Sequence, residues 1–170
     1  MEKKAEPKVY LPKFKFHPGD RFPQTQLKLQ DDEWADLTKL EAQWLVLFFY
    51  PQDLSPTCSK QACNLQQAYA KLKKKQITII GISPDDASKH QRFIAKYHLN
   101  FSLAIDQDAQ LARQLGVFSL KKFMGRVYDG IHRSSFILDH ELIIRHIIYP
   151  VESGRHDEQI LEAIKILENR

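Results

Sequence analysis

The sequence predicts an α/β sandwich built on a mixed central β-sheet, and three observations carry that prediction. Short apolar runs of β-branched and aromatic residues alternate with stretches of helical periodicity. One such run, Leu45-Val46-Leu47-Phe48-Phe49-Tyr50, shows no polar alternation, as expected of a strand covered on both faces. Near the end of the chain two strand-like runs adjoin across His140 and Glu141, and a last helical pattern follows. Alternation of strand and helix gives parallel pairs and the hairpin adds an antiparallel one, so the sheet is mixed.

The elements follow in order. The first 20 residues, broken by Pro7, Pro12 and Pro18, form an irregular lead-in, at its narrowest about residues 1–15. Weak alternation over residues 24–30 predicts a strand, with Gln30-Asp31-Asp32-Glu33 as its turn. Pro51 ends the apolar strand at 45–50. From Cys58 onward Ala62, Leu65, Tyr69 and Leu72 recur at helical spacing, with Gln and Lys on the opposite face. Residues 77–82 form a β-branched strand, and Ser83-Pro84-Asp85 offers a turn and N-cap for a helix carrying Phe93, Ile94 and Tyr97. A strand at 101–105 precedes a short helix at 107–115, stopped by Gly116. Residues 134–139 and 142–148 make the hairpin. An amphipathic helix at 156–167 turns Ile160, Ala163, Ile164 and Leu167 inward.

Length and a hydrophobic content of 43% suit one domain over residues 1–170 with an ordinary core. The net charge of +4 is mild. Its densest run, residues 71–75, sits where a helix ends, and cations there complement the helix dipole. No aromatic residues interleave with those lysines, which argues against a nucleic-acid surface. The N-terminal residues are charged and proline-broken, and no long apolar run exists, so the expectation is a soluble cytoplasmic protein without a membrane partner. In a reducing compartment paired cysteines are catalytic or metal-binding more often than structural.

The chain has two cysteines, Cys58 and Cys63, both in the stretch YPQDLSPTCSKQACNL at residues 50–65. In open α/β sheets function collects at the carboxyl ends of strands, and this stretch lies there, at a helix start. A cysteine in the first helical turn feels the positive end of the helix dipole, which favours its nucleophilic thiolate form. Cys58 occupies that place, whereas Cys63 lies more than a turn further along. The geometry suggests that Cys58 attacks and Cys63 resolves.

Residues 51–58, Pro51-Gln-Asp-Leu-Ser55-Pro-Thr-Cys58, resemble the peroxiredoxin active-site pattern Pro-x-x-x-Thr/Ser-x-x-Cys. The second cysteine five residues on resembles the bacterioferritin comigratory protein group, also called peroxiredoxin Q. Ile80-Gly-Ile-Ser-Pro-Asp85 and the segment from Lys122 to Asp139 agree, and the resemblance covers roughly residues 15–169. It implies a thioredoxin-like fold and reduction of hydrogen peroxide and organic hydroperoxides. Electrons would come from thioredoxin, or from glutaredoxin. Cys58 matches the peroxidatic cysteine, Cys63 the resolving cysteine, and Arg133 the active-site arginine. Ser55 stands where Thr is commoner but keeps the hydroxyl. Thr57 stands where Gly is frequent and is read as the helix N-cap.

The implied chemistry suits these residues. A thiolate attacks one peroxide oxygen while the other leaves carrying charge, and preorganised donors lower that barrier. Arg133 supplies fixed N–H donors and a permanent charge. The Ser55 hydroxyl can donate to an attacking or leaving oxygen. Pro51 would shield the thiolate from bulk water and hold the loop, and the expected substrate-binding positions are Pro51 and Thr57. The resulting sulfenic acid condenses with Cys63 to an intramolecular disulfide. Neither a metal nor an organic cofactor is required, and the oligomeric state is expected to be a monomer or weak homodimer. Two rivals fit less well. A copper-delivery site would need a histidine near the thiols, and none of the seven clusters with them in sequence. A disulfide oxidoreductase would carry Cys-x-x-Cys, which is absent.

Overall fold

The structure is a computed structural model and describes residues 10–170. Part of the expected lead-in, residues 1–9, lies outside those residues. Five strands make the central sheet, in the order β5-β4-β3-β8-β9. They are β3 (Trp44–Phe49), β4 (Ile77–Ser83), β5 (Ser102–Ile105), β8 (Ser134–Leu138) and β9 (Ile144–Ile148). β3, β4 and β5 run parallel, while β8 pairs antiparallel with both β3 and β9, so the sheet is mixed as the sequence predicts.

Alternation along β3 explains its unbroken apolar sequence. Val46 and Phe48, with Tyr50 beyond, enter a layer shared with the helices α1 (Pro56–Lys74) and α4 (His156–Glu168), to which Phe93 of α2 (Ala87–Tyr97) also belongs. Leu45, Leu47 and Phe49 enter a second layer, beside Ala112 and Leu115 of α3 (Gln110–Leu115). Each fully buried side chain of this size contributes about 1.5–3 kcal/mol, so neither face of β3 tolerates a polar residue. Gly116 closes α3 with φ of +81°, and a Cβ there would meet the Lys13 carbonyl oxygen at 1.7 Å. Glycine is therefore required both for the turn and for the lead-in, which docks through Lys13 N–H to the Gly116 carbonyl at 3.0 Å.

Several boundaries differ from the sequence expectation, each for a local reason. The first strand narrows to β1 (Gln26–Lys28), and it pairs with β2 (Trp34–Asp36), which is too short to show a period. α1 begins at Pro56, and its N-cap is Ser55 rather than Thr57. Proline suits the first helical position because its missing N–H would be unpaired there anyway. It also forces the residue before it into the extended region, and Ser55 has φ −66° and ψ 151°. The cap of α2 is Asp86, which accepts from Lys89 N–H at 2.9 Å. Asp85 is used elsewhere, accepting from the Asp53 N–H at 2.7 Å. The helix expected at 107–115 splits into a single 3-10 turn and α3, because Asp108 and Ala109 adopt left-handed dihedrals. A further hairpin, β6 (Phe118–Phe123) and β7 (Arg126–Ile131), stands outside the main sheet. Its two-residue turn places Met124 and Gly125 at positive φ, and methionine does not advertise such a turn.

Candidate active site

β3 delivers the chain to the site at its carboxyl end, where the loop 51–55 leads into α1. The loop is held at its middle by Asp53, which is buried. Its carboxylate accepts from the Tyr50 hydroxyl at 2.5 Å and faces His90 Nδ1 at 2.6 Å. His90 Nε2 lies 2.8 Å from the Ala104 carbonyl, an acceptor only, and so carries a proton. The Nδ1 contact to Asp53 is fully buried on both sides. Burial, then the neighbouring Asp53, hold the Tyr50 hydroxyl protonated well above its ordinary range, so it remains a donor. Next to this anchor Leu54 has φ of +64°, a left-handed conformation that costs about 1–2 kcal/mol in a side chain of this kind. The anchored turn aims Ser55 at the helix start.

The Ser55 hydroxyl oxygen accepts from the Cys58 N–H at 3.3 Å, and its carbonyl accepts from the Ser59 N–H at 2.8 Å. Cys58 thus sits in the first turn of a capped helix of 19 residues, where backbone N–H groups favour an anion. It is 2% exposed, and the sulfur is a free thiol. Arg133, which enters from the segment joining β7 to β8, donates from Nη1 to Cys58 Sγ at 3.2 Å. The same Nη1 donates to Gln61 Oε1 at 2.7 Å. Gln61 Nε2 meets His156 Nδ1 at 3.1 Å, and His156 Nε2 meets Ser135 Oγ at 2.8 Å. Lys121 of β6 is a further cation in the neighbourhood and donates to the Ile131 carbonyl at 2.7 Å. Burial first and the Arg133 charge second bring its pKa below the ordinary value, against an opposing pull from Cys58.

Of the residues singled out in the sequence, Arg133 contacts the Cys58 sulfur and Ser55 caps the helix turn that carries it, through the Cys58 N–H. Pro51 lies in the same loop, half-buried, while Thr57 is exposed in the helix and caps nothing. Cys63 is a free, half-buried thiol further along the unbroken α1. Gln61, Lys121 and His156 were not foreseen. Gln61 lies three residues from Cys58 and shares its helix face, a usable signal, but the other two reach the site only through tertiary structure. Among the described residues no group of three or more His, Cys, Asp or Glu side chains is placed to hold a metal ion. Among the same residues no helix is long and apolar enough to cross a membrane.

A mixed sheet with this connectivity, presenting an arginine-paired thiol at a helix start, is the arrangement of a thiol peroxidase with the thioredoxin fold. The AhpC/TSA family pattern matches residues 18–147. Peroxiredoxin Bcp of Escherichia coli strain K12 is 40% identical over 147 residues, spanning 86% of this chain and 94% of that one. Peroxiredoxin Bcp of Bacillus subtilis strain 168 is 37% identical over 147 residues, again 86% and 94%. Among solved structures, a mutant of PrxQ from Xylella fastidiosa superposes with TM-score 0.81 at 27% identity, covering 90% of this chain and 98% of that one. The bacterioferritin comigratory protein of Xanthomonas campestris, described for its alkyl peroxide reduction activity, gives TM-score 0.77 at 28% identity, covering 91% and 98%. The chain belongs to the AhpC/TSA family, within the Bcp and peroxiredoxin Q group of peroxiredoxins, and is a peroxidase of the oxidoreductase class.

Proposed function

We propose that Cys58 is the peroxidatic cysteine, that Cys63 resolves it, and that thioredoxin recycles the pair, with hydrogen peroxide and organic hydroperoxides as substrates. The Cys58 thiolate attacks one peroxide oxygen, the O–O bond breaks, and the other oxygen leaves as an alkoxide or hydroxide that takes up a proton. Cys58 becomes a sulfenic acid. The Cys63 thiol then displaces that oxygen as water and a Cys58–Cys63 disulfide forms. Two electrons and two protons from a dithiol reductant restore both thiols. Thioredoxin is the favoured reductant, and glutaredoxin the alternative. No cofactor enters this scheme.

The single observation carrying this reading is the contact between Arg133 Nη1 and Cys58 Sγ at 3.2 Å in the first turn of α1. It supports a double role for Arg133, favouring the thiolate before attack and donating to the oxygen on which charge develops during it. Ser55 contributes the cap, accepting from the Cys58 N–H, and a hydroxyl in the same turn that can donate to a peroxide oxygen. Pro51 shields the thiolate on the loop side. Thr57, exposed beside the sulfur's turn, is assigned a place at the rim where peroxide enters. Residues 1–170 act as one cytoplasmic domain, a monomer or weak homodimer, in antioxidant defence and redox homeostasis.

The test is NADPH consumption with thioredoxin, thioredoxin reductase and each of several hydroperoxides, then with glutaredoxin and glutathione in their place. Turnover is expected with the thioredoxin system for both hydrogen peroxide and alkyl hydroperoxides. Turnover with glutaredoxin alone would overturn the reductant assignment, and none with either system would overturn the catalytic cycle.

A further inference from the structure

We infer that His156 is a positioning residue for the peroxide reaction, acting through Gln61 to fix the Arg133 guanidinium against Cys58. This rests on the reading of Cys58 as the attacking thiol. His156 lies far from Cys58 in sequence, on a different helix, and touches none of the reacting atoms.

The direction of each hydrogen bond in the chain follows from the first. A guanidinium only donates, so Gln61 has to turn its carbonyl oxygen towards Arg133. The Gln61 amide nitrogen is then left facing His156 Nδ1, and it too only donates. Nδ1 is therefore the acceptor, and the single proton of a neutral imidazole lies on Nε2, donating to Ser135 Oγ. One tautomer of His156 thus selects one orientation of the Gln61 amide. A proton on Nδ1 would set two donors against each other, and the amide would relieve this by turning its NH₂ towards Arg133. That arrangement would push the guanidinium away from its place.

The surroundings hold the ring in the required form. Gln61 is 1% exposed, and His156 and Ser135 are at 0%. The Phe48 ring stands edge-on to the imidazole, with centroids 5.8 Å apart. The charged groups near it are Arg133 across the layer and Asp157 on its own helix, with opposite effects. Burial, then Arg133, outweigh Asp157 and keep the ring neutral. Nη1 of Arg133 is held between the Gln61 carbonyl oxygen at 2.7 Å and Cys58 Sγ at 3.2 Å, so moving the Gln61 oxygen removes one of the two acceptors that fix where Nη1 rests. Arginine loses considerable side-chain entropy when fixed, and a displacement of about 1 Å at a reacting centre can cost roughly a hundredfold in rate.

The experiment compares His156→Leu, His156→Asn and Ser135→Ala with the unaltered protein. It reads the second-order rate with hydrogen peroxide, the thiolate absorbance of Cys58 at neutral pH, and the ring-nitrogen NMR shifts of His156. Asparagine can place an acceptor oxygen where Nδ1 lies, and leucine cannot. His156→Leu is expected to lower the rate roughly ten- to a hundredfold and to reduce the thiolate signal. His156→Asn should recover most of both. Ser135→Ala, a smaller change that keeps the variant folded, should lower the rate several-fold and mix the tautomers. In the unaltered protein the NMR shifts should report a proton on Nε2. A proton on Nδ1 instead, or unchanged rate and thiolate signal in folded His156→Leu or Ser135→Ala, would overturn the inference. A purely structural histidine would lower the melting temperature and leave both signals of the folded protein alone. Should the unaltered protein fail to reduce peroxide, the proposed function falls, while the thiolate and NMR readings still decide the role of His156.

Discussion

Arg133 donates to the sulfur of Cys58 across 3.2 Å, although the two residues are 75 positions apart in the chain. The contact joins the start of α1 to the lead into β8, and β3, paired with β8, holds both ends in place. Arg133→Met keeps much of the side-chain volume and removes the charge. It should slow the reaction with peroxide by roughly a hundredfold or more, as loss of a preorganised donor does. The thiolate absorbance of Cys58 at neutral pH should fall with it. Unaltered rate and absorbance together would remove Arg133 from the mechanism.

The proposed cycle gives the two thiols separable roles. Cys58→Ser should abolish peroxide reduction, because an alcohol has almost no anion at neutral pH. Cys63→Ser should consume about one equivalent of peroxide and stop as the sulfenic acid. Peroxide consumption and a sulfenic-acid probe read by mass spectrometry check both. Sustained turnover in Cys58→Ser, with the first equivalent lost in Cys63→Ser, would invert the assignment.

Disulfide formation requires α1 to open. Both cysteines lie within the unbroken helix Pro56–Lys74. Five residues along an α-helix span about 7.5 Å and roughly 140°, placing their Cα atoms about 8.6 Å apart. A disulfide tolerates at most about 7 Å. Amide exchange over residues 56–66 should therefore rise sharply on oxidation while β3 and β4 stay protected. Equal protection in both redox states, with the intramolecular disulfide verified by mass, would show that the helix need not unwind.

Asp53 anchors the loop that this opening leaves behind. Removing one partner of a buried, hydrogen-bonded pair costs about 3–5 kcal/mol, and Asp53 also receives the Tyr50 hydroxyl. Asp53→Ala should lower the urea-unfolding free energy by that amount. A loss below about 1 kcal/mol would mean that the pair contributes little beyond what water would supply.

Acid should weaken the fold through His156. Burial, then Arg133, lower its pKa from 6.5 to about 3. Between those values the unfolded chain binds a proton that the folded chain does not, so stability falls as pH drops from 6.5 towards about 3. The slope approaches about 1.4 kcal/mol per pH unit, giving a loss of about 2 kcal/mol by about pH 5. Well above 6.5 this group leaves stability unchanged. Urea unfolding across that window, compared with His156→Asn, isolates the effect, and identical slopes in the two proteins would contradict it.

The amino-acid sequence by itself determined the sheet's mixed character, the place of the thiols and the family resemblance. Each of these is written in neighbouring residues: the apolar run 45–50, the cysteine spacing, the serine and prolines ahead of it. It also contained the cap, for Ser55-Pro56 carries the extended-then-helical preference that a proline at the first helical position imposes. Reading Thr57 as the cap missed that local rule. Other features had no local signature. The turn of β6–β7 depends on a methionine at positive φ, which only pairing across the hairpin enforces. The sequence singled out Arg133 by resemblance, yet its aim at Cys58 depends on Gln61. The orientation of Gln61 depends in turn on His156 and Ser135, brought from α4 and β8. Likewise Asp53, His90 and Tyr50 meet only because β3, the loop and α2 close on one buried point. Periodicity reports which face of an element is buried, because that is a property of one segment. The direction of a buried hydrogen bond depends on partners from several segments at once, and only their packing decides it.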